Sequence, residues 1–288
     1  MDRVVRFKDC KCVSPHRTLV ECALARKLET HKDVTKSVIV GSPIVHFIVG
    51  KEAKSYYIHK DLLIIHSGRF ANQLARRGND NQEPIFLNLK PCPFIVFKRW
   101  LYTGEINAYD AWTGPDIVRF EGLWLFGEYL RSPSFQNCCM DTIMQYADRN
   151  PNWLSRAEAV AIYKCTKKGS VLDKIVTRSL LYLNGYWSSS DHNRRQWLAN
   201  TPASIADINR APRTLSYSDR PWSVKFRADY MVDEVPLEVR LERHILSKKA
   251  KEDERKKKAQ NRPSGMECLP AVTDNSTTAP NAALDLDQ

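Results

Sequence analysis

Seven histidines, at positions 16, 31, 46, 59, 66, 192 and 244 of the 288-residue chain, are the first place to look for acid–base chemistry. Histidine titrates near neutrality and catalyses when a carboxylate or a nucleophile is held beside it. None of the seven has a carboxylate or cysteine at a diagnostic local spacing. The sequence also lacks a phosphate-cradling glycine loop, a zincin-type histidine pair and a glycine-flanked nucleophilic serine. His59 is the best single candidate for a catalytic role in isolation. The alternative for it is structural, since backbone groups readily satisfy a half-buried imidazole.

Metal chemistry has one candidate cluster. Eight cysteines stand at 10, 12, 22, 92, 138, 139, 165 and 268, without the regular spacing of a disulfide framework, and are expected to be free thiols in a reducing compartment. Cys10, Cys12, His16 and Cys22 come closest to a zinc site. The single residue between Cys10 and Cys12 is tighter than the roughly two to four usual in zinc knuckles. Neither a metal nor a cofactor is expected, and the catalytic set is empty.

Phosphate contact or nuclear import is the third possibility. Lys248, Lys249, Lys251, Arg255, Lys256, Lys257 and Lys258 lie in KKAKEDERKKKAQNR, a segment basic enough to touch phosphates or to act as an import signal. Its interleaved acids dilute that field. Glu252 with Lys256, Asp253 with Lys257 and Glu254 with Lys258 each place an acid one turn before a lysine, which stabilises a solvated helix by about 0.2–0.5 kcal/mol per pair. No zinc finger, homeodomain or basic-zipper pattern accompanies the segment. Nucleic acid is therefore not an expected partner.

The elements that would position these groups are clearest in the middle of the chain. From Ile44, period-two alternation sets Val45, Phe47 and Val49 against Ile44, His46 and Ile48, which predicts a strand. Gly50–Lys54 supplies a turn, Ser55–Ile58 a second strand, and His59-Lys60-Asp61 opens a buried segment containing Leu62, Leu63, Ile64 and Ile65. Ser67-Gly68 ends it, and a short helix over Arg69–Arg77 uses Phe70 and Leu74. Ile85–Leu89 reads as a third strand. Phe94, Phe97, Lys98 and Leu101, with Trp100 at their flank, follow the helical period until Thr103-Gly104. Helices are expected over 116–130, 135–146, 155–164 and 171–183, and one after Pro236 with Leu237, Leu241 and Ile245 in register.

The phrases IVHFIVG, YYIHKDLLIIHSGRFANQL, FIVFKRWLYTGEI and LWLFGEYLRSPSFQN, in this order, resemble a BTB/POZ domain in the form common in fungal proteins of that family. The resemblance covers residues 43–150. His59, Lys60, Ser67, Trp100, Tyr102 and Gly104 match its motif as structural positions, and Leu62, Leu63, Ile65 and Phe70 would supply its pairing element. It implies an α+β fold, a small mainly three-stranded sheet with about five helices, followed by a helical extension. It also implies a non-catalytic scaffold that binds protein partners and forms homo-oligomers. A substrate adaptor of a cullin-type ubiquitin ligase is the alternative, and a nuclear, nucleic-acid-associated regulator the second alternative. Transcriptional members usually carry an aspartate near the first strand to pair with the basic residue after the histidine. Ser42-Pro43 stands there in this chain.

The expected organisation is a mostly flexible basic leader over 1–42, the domain over 43–150, a helical extension with long loops over 151–246, a charged helix over 247–262 and a disordered acidic tail over 263–288. These segments carry net charges of +4, +1, +5, +5 and −4 when the boundaries fall at residues 43, 150, 240 and 262, within the total of +11. The suspected domain is nearly neutral between basic flanks. No apolar run reaches the roughly 20 residues that span a bilayer, and the N-terminus has no secretory h-region. A cytoplasmic or nuclear location follows, with no membrane partner and no small-molecule substrate expected.

Overall fold

A computed structural model describes residues 19–77, 83–106, 120–150, 153–154, 156–186 and 220–260. Three strands and ten helical segments make it α+β and mostly helical among these residues. The chain divides into two compact units between Ile245 and Leu246.

The sheet forms where the alternation predicts it. Strand β1 (Ile44–Val49) pairs antiparallel with β2 (Lys54–His59), Phe47 facing Tyr56 and His46 facing Tyr57. Strand β3 (Ile85–Leu87) joins the other side of β1 in parallel, giving the order β2-β1-β3. Phe47, Val49, Ile58, Ile85 and Leu87 point inward and are buried. β3 stops short of the expected Leu89, whose N–H turns back onto the Leu87 carbonyl.

Helix α1 (Leu19–Ile39) precedes the sheet, and α2 (Lys60–His66), α3 (Gly68–Arg77), α4 (Pro91–Thr103), α5 (Phe120–Leu130) and α6 (Pro133–Arg149) build the core on its inner side. Two prolines open helices at positions where a missing N–H costs nothing, Pro91 in α4 and Pro133 in α6. Phe94, Phe97, Trp100 and Leu101 of α4 are all buried. Each such side chain contributes about 1.5–3 kcal/mol through removal from water. Helices α5 and α6 pack at very close range, since a Cβ on Gly127 would lie 2.7 Å from Gln136 Cγ.

The leader, expected to be mostly flexible with a helix-like pattern over Leu19–Leu28, is helical from Leu19 to Ile39. Buried His31, Val34, Thr35 and Val38 recur at the helical spacing of three, four and seven, and this stripe holds α1 in place. Two of the four are polar, which hides the stripe from a hydrophobicity reading. Cys10, Cys12 and His16, residues 78–82, residues 116–119, Ser155, Trp187, Trp197 and residues 263–288 lie outside the described residues, as does the side chain of Cys22.

Past the module, α7 (Arg156–Cys165) and α8 (Val171–Tyr186) follow the expected hairpin, with Leu172, Ile175, Val176 and Leu180 buried. Trp222 docks locally, its ring 5.3 Å from that of Tyr182. A 3-10 helix at Val224–Tyr230, for which the sequence gives no periodic sign, is clamped to α6 by the paired Arg227–Asp141 bonds. Asn137 adds a second clamp, donating to the Val232 carbonyl at 2.8 Å and accepting from its N–H at 2.7 Å. The charged helix expected over 247–262 is the distal part of α9 (Leu237–Gln260). In it Leu237 and Leu241 are half-buried, whereas Ile245 is 54% exposed.

Candidate functional site

The motif residues all serve as joints. His59 Nδ1 lies 2.9 Å from the Tyr102 hydroxyl, and the His59 N–H donates to the same oxygen, tying β2 to α4. Burial raises the Tyr102 pKa. The Lys60 N–H donates to the Pro43 carbonyl at 2.7 Å and the Asp61 N–H to Ser42 Oγ at 3.0 Å. Ser42-Pro43 therefore satisfies two of the orphan donors at the start of α2. Ser67 Oγ donates to the Leu130 carbonyl at 2.8 Å and accepts from the Phe70 N–H, so one hydroxyl joins α3 to the end of α5. Trp100 is wedged between Phe97 and Phe135, with His31 and His66 also against it. Gly104 ends α4 at φ 74°, where a Cβ would meet His31 Cγ at 2.9 Å.

The expected pairing residues are internal. Leu62, Leu63 and Phe70 are fully buried and Ile65 nearly so. Leu63 and Phe70 belong to the main core, while Leu62 and Ile65 pack with Val34 and Val38 of α1 and touch Leu237 and Leu241 of α9. The chain's own helices cover the face that pairing would need, so any surface contact must use other residues.

One face that remains open is the outer side of the sheet. Ile44 is 61% exposed, Tyr57 56% and Phe86 72%. The register sets His46 opposite Tyr57, with the rings stacked at 4.7 Å, and sets Ile48 between Ser55 and Phe86. These six positions carry no formal charge other than protonatable His46.

Beneath α1, α4, α6 and the first turns of α9 lies a cavity of about 520 Å³. His31 Nε2–H donates to the Leu101 carbonyl at 3.0 Å, which fixes its tautomer. His66 stands 4.9 Å from it, ring to ring, with both nitrogens buried and unpartnered. Burial lowers the pKa of both imidazoles, His66 the more strongly, with His31 adding to the effect on His66 and the neighbouring Arg240 charge to the effect on each. Arg240 donates to the Ile65 carbonyl at 3.0 Å and to Ser134 Oγ at 2.6 Å. His244 Nε2 approaches Asp61 Oδ1 at 3.1 Å. The geometry is off the ring's hydrogen-bonding direction, so this contact is an electrostatic approach rather than a hydrogen bond. Cys138, another lining residue, has its thiol pushed up to about 12 by burial, which makes it a poor nucleophile at neutral pH. Sequence spacing could not reveal this group, because its members come from five separate elements.

The second unit is helical over its described residues, and all of its described side chains are exposed. Lys256 pairs with Glu252 at 2.8 Å and Lys258 with Glu254 at 2.6 Å. Hydrogen bonding to these lysines lowers the Glu252 and Glu254 pKa values. Lys248, Lys249, Lys251, Arg255 and Lys257 share this exposed helix.

Among the described residues no group of three or more His, Cys, Asp and Glu side chains is placed to hold a metal ion, and no helix is long and apolar enough to cross a membrane. No protein-family model matches the chain, and no curated protein matches it either.

Proposed function

We propose that the chain is a non-catalytic protein-interaction scaffold on a BTB/POZ-type module, pairing with a second copy of itself through the outer face of its sheet. The observation that carries this reading is the open strip of Ile44, His46, Ile48, Tyr57 and Phe86, set side by side by the strand register. Exposed apolar and aromatic side chains grouped this way mark interaction surfaces. Most of the net charge of +11 lies outside residues 44–150, so two copies repel through their basic flanks. An uncharged strip is where two copies meet at least electrostatic cost, and a two-fold contact needs only one self-complementary patch. The order of the described elements over residues 43–150, two strands, two helices, a strand and then three helices, is compatible with the module the motif resembles.

Light scattering and sedimentation on the full chain test the reading. A dimer is expected, and Phe86→Lys should weaken it at least about tenfold by placing like charges in the contact. A monomer at the highest attainable concentration, or a dimer indifferent to Phe86→Lys, removes this pairing surface. Stoichiometric binding of a cullin-type ligase scaffold by the monomer would replace the reading with the adaptor one.

A further inference from the structure

The cavity described above holds three residues with buried, unpartnered polar atoms: both ring nitrogens of His66, Nε of Arg240 and Oε2 of Glu234. Buried polar atoms in folded proteins nearly always have a partner, and clustered exceptions call for an occupant. Arg240 is the centre of the group. Its two terminal nitrogens donate to a carbonyl and a hydroxyl, while the Glu234 and Glu238 carboxylates act on it only through their charge. Glu234 spends its other oxygen on Lys27. Arg240 donates to the Ser134 hydroxyl, and the Glu234 carboxylate lies close to the same oxygen without a hydrogen bond to Oε2, so their free atoms are within about two hydrogen-bond lengths of it. Leu28, Trp100 and Leu237 supply apolar wall. The volume of about 520 Å³ is within the range of small-molecule sites.

We infer that this cavity binds a small carboxylic acid that carries an apolar group and an O–H or N–H donor beside the carboxylate, the chemistry of an aryl α-hydroxy acid or an N-acylated amino acid. The carboxylate accepts from the free Arg240 Nε–H and from the His66 N–H. The adjacent donor serves Glu234 Oε2, and the apolar group lies against Leu28, Trp100 and Leu237. A simple inorganic anion satisfies the guanidinium and leaves the Glu234 oxygen unpaired. A purely apolar molecule leaves all the orphaned atoms unpaired. Burial lowers the Arg240 pKa against the opposing charges of Glu234 and Glu238, and a bound carboxylate would add to those two. This site is separate from the sheet face, so it stands whether or not the chain dimerises.

Calorimetry and thermal unfolding on the full chain, with 3-phenyllactate and N-acetylphenylalanine as probes, test the assignment. At least one acid should bind with a Kd below about 1 mM and raise the unfolding midpoint, and its carboxamide counterpart should bind at least about tenfold more weakly. His66→Phe removes two orphaned nitrogens at nearly constant volume. It should keep the ligand-free midpoint at or above that of the native chain while losing at least about tenfold in affinity. Arg240→Gln should abolish binding, and His66→Phe keeps the test decisive if that variant fails to fold. Absence of binding by both acids at about 10 mM, or equal affinity of the acid for the native chain and for His66→Phe, overturns the inference and leaves ordered water as the occupant.

Discussion

Helix α2 and the outer face of the sheet are adjacent in sequence and both rich in apolar side chains, yet they end in opposite environments. Leu62 and Ile65 are covered by α1 and by the first turns of α9, whereas Ile44, Tyr57 and Phe86 are covered by nothing in the described chain. Apolar content therefore does not by itself mark an interface. What decides is whether another segment of the same chain reaches the face, and here the covering segments come from opposite ends of the sequence. The Arg240 bond to the Ile65 carbonyl spans 175 residues.

The most severe way to break the comparison is Leu62→Asp. A charge at this fully buried site should cost more than about 4 kcal/mol and abolish cooperative urea unfolding. A variant that remains folded and merely loses partners would move Leu62 back to the surface. Gly104→Ala tests how tightly α1 is seated. Positive φ and the His31 ring at 2.9 Å from the new Cβ should together cost about 1–3 kcal/mol, read as a lowered urea midpoint.

The next effect is a pH dependence confined to the covered side. The folded His66 pKa is well below its ordinary value of 6.5, so below that pH the unfolded chain binds more protons than the folded one. Stability from this residue is complete above about pH 6.5 and falls by up to about 1.4 kcal/mol per pH unit below it. The titratable and charged groups acting on it are His31 and Arg240, and Arg240 in turn acts on Glu234, which pairs with Lys27. Urea midpoints measured between pH 7.5 and 5 should separate the native chain from His66→Phe progressively as pH falls. Parallel curves would mean that His66 can leave its site when protonated. The smallest effect belongs to the open face: Tyr57→Ser and Phe86→Ser should each change stability by less than about 0.5 kcal/mol. A larger loss would show that the strip is packed after all.

Much of the module was legible because its elements obey simple periods. The β1–β2 hairpin, α4 and α6 follow from alternation or from a 3.6-residue repeat with proline and glycine at their ends. Helix α1 was legible only over Leu19–Leu28, because beyond it His31 and Thr35 hold two of the four described buried positions and both reach the Leu101 carbonyl, a partner some 70 residues away. The 3-10 helix was invisible for a related reason, since it is held by the Arg227–Asp141 pair, with Asn137 of α6 fixing Val232 just beyond it, rather than by a period of its own. The motif residues were found, though not their tasks: Ser67 looks like a helix breaker and proves to be the link to Leu130.

By itself the sequence determined where strands and most helices form, which side chains are apolar and which segments carry the charge, because these are properties of neighbours along the chain. The tertiary structure decided which apolar face is sealed and which is open. It also brought His31, His66, Arg240, Glu234 and Ser134 around one cavity, because burial and long-range pairing depend on segments that meet only after folding.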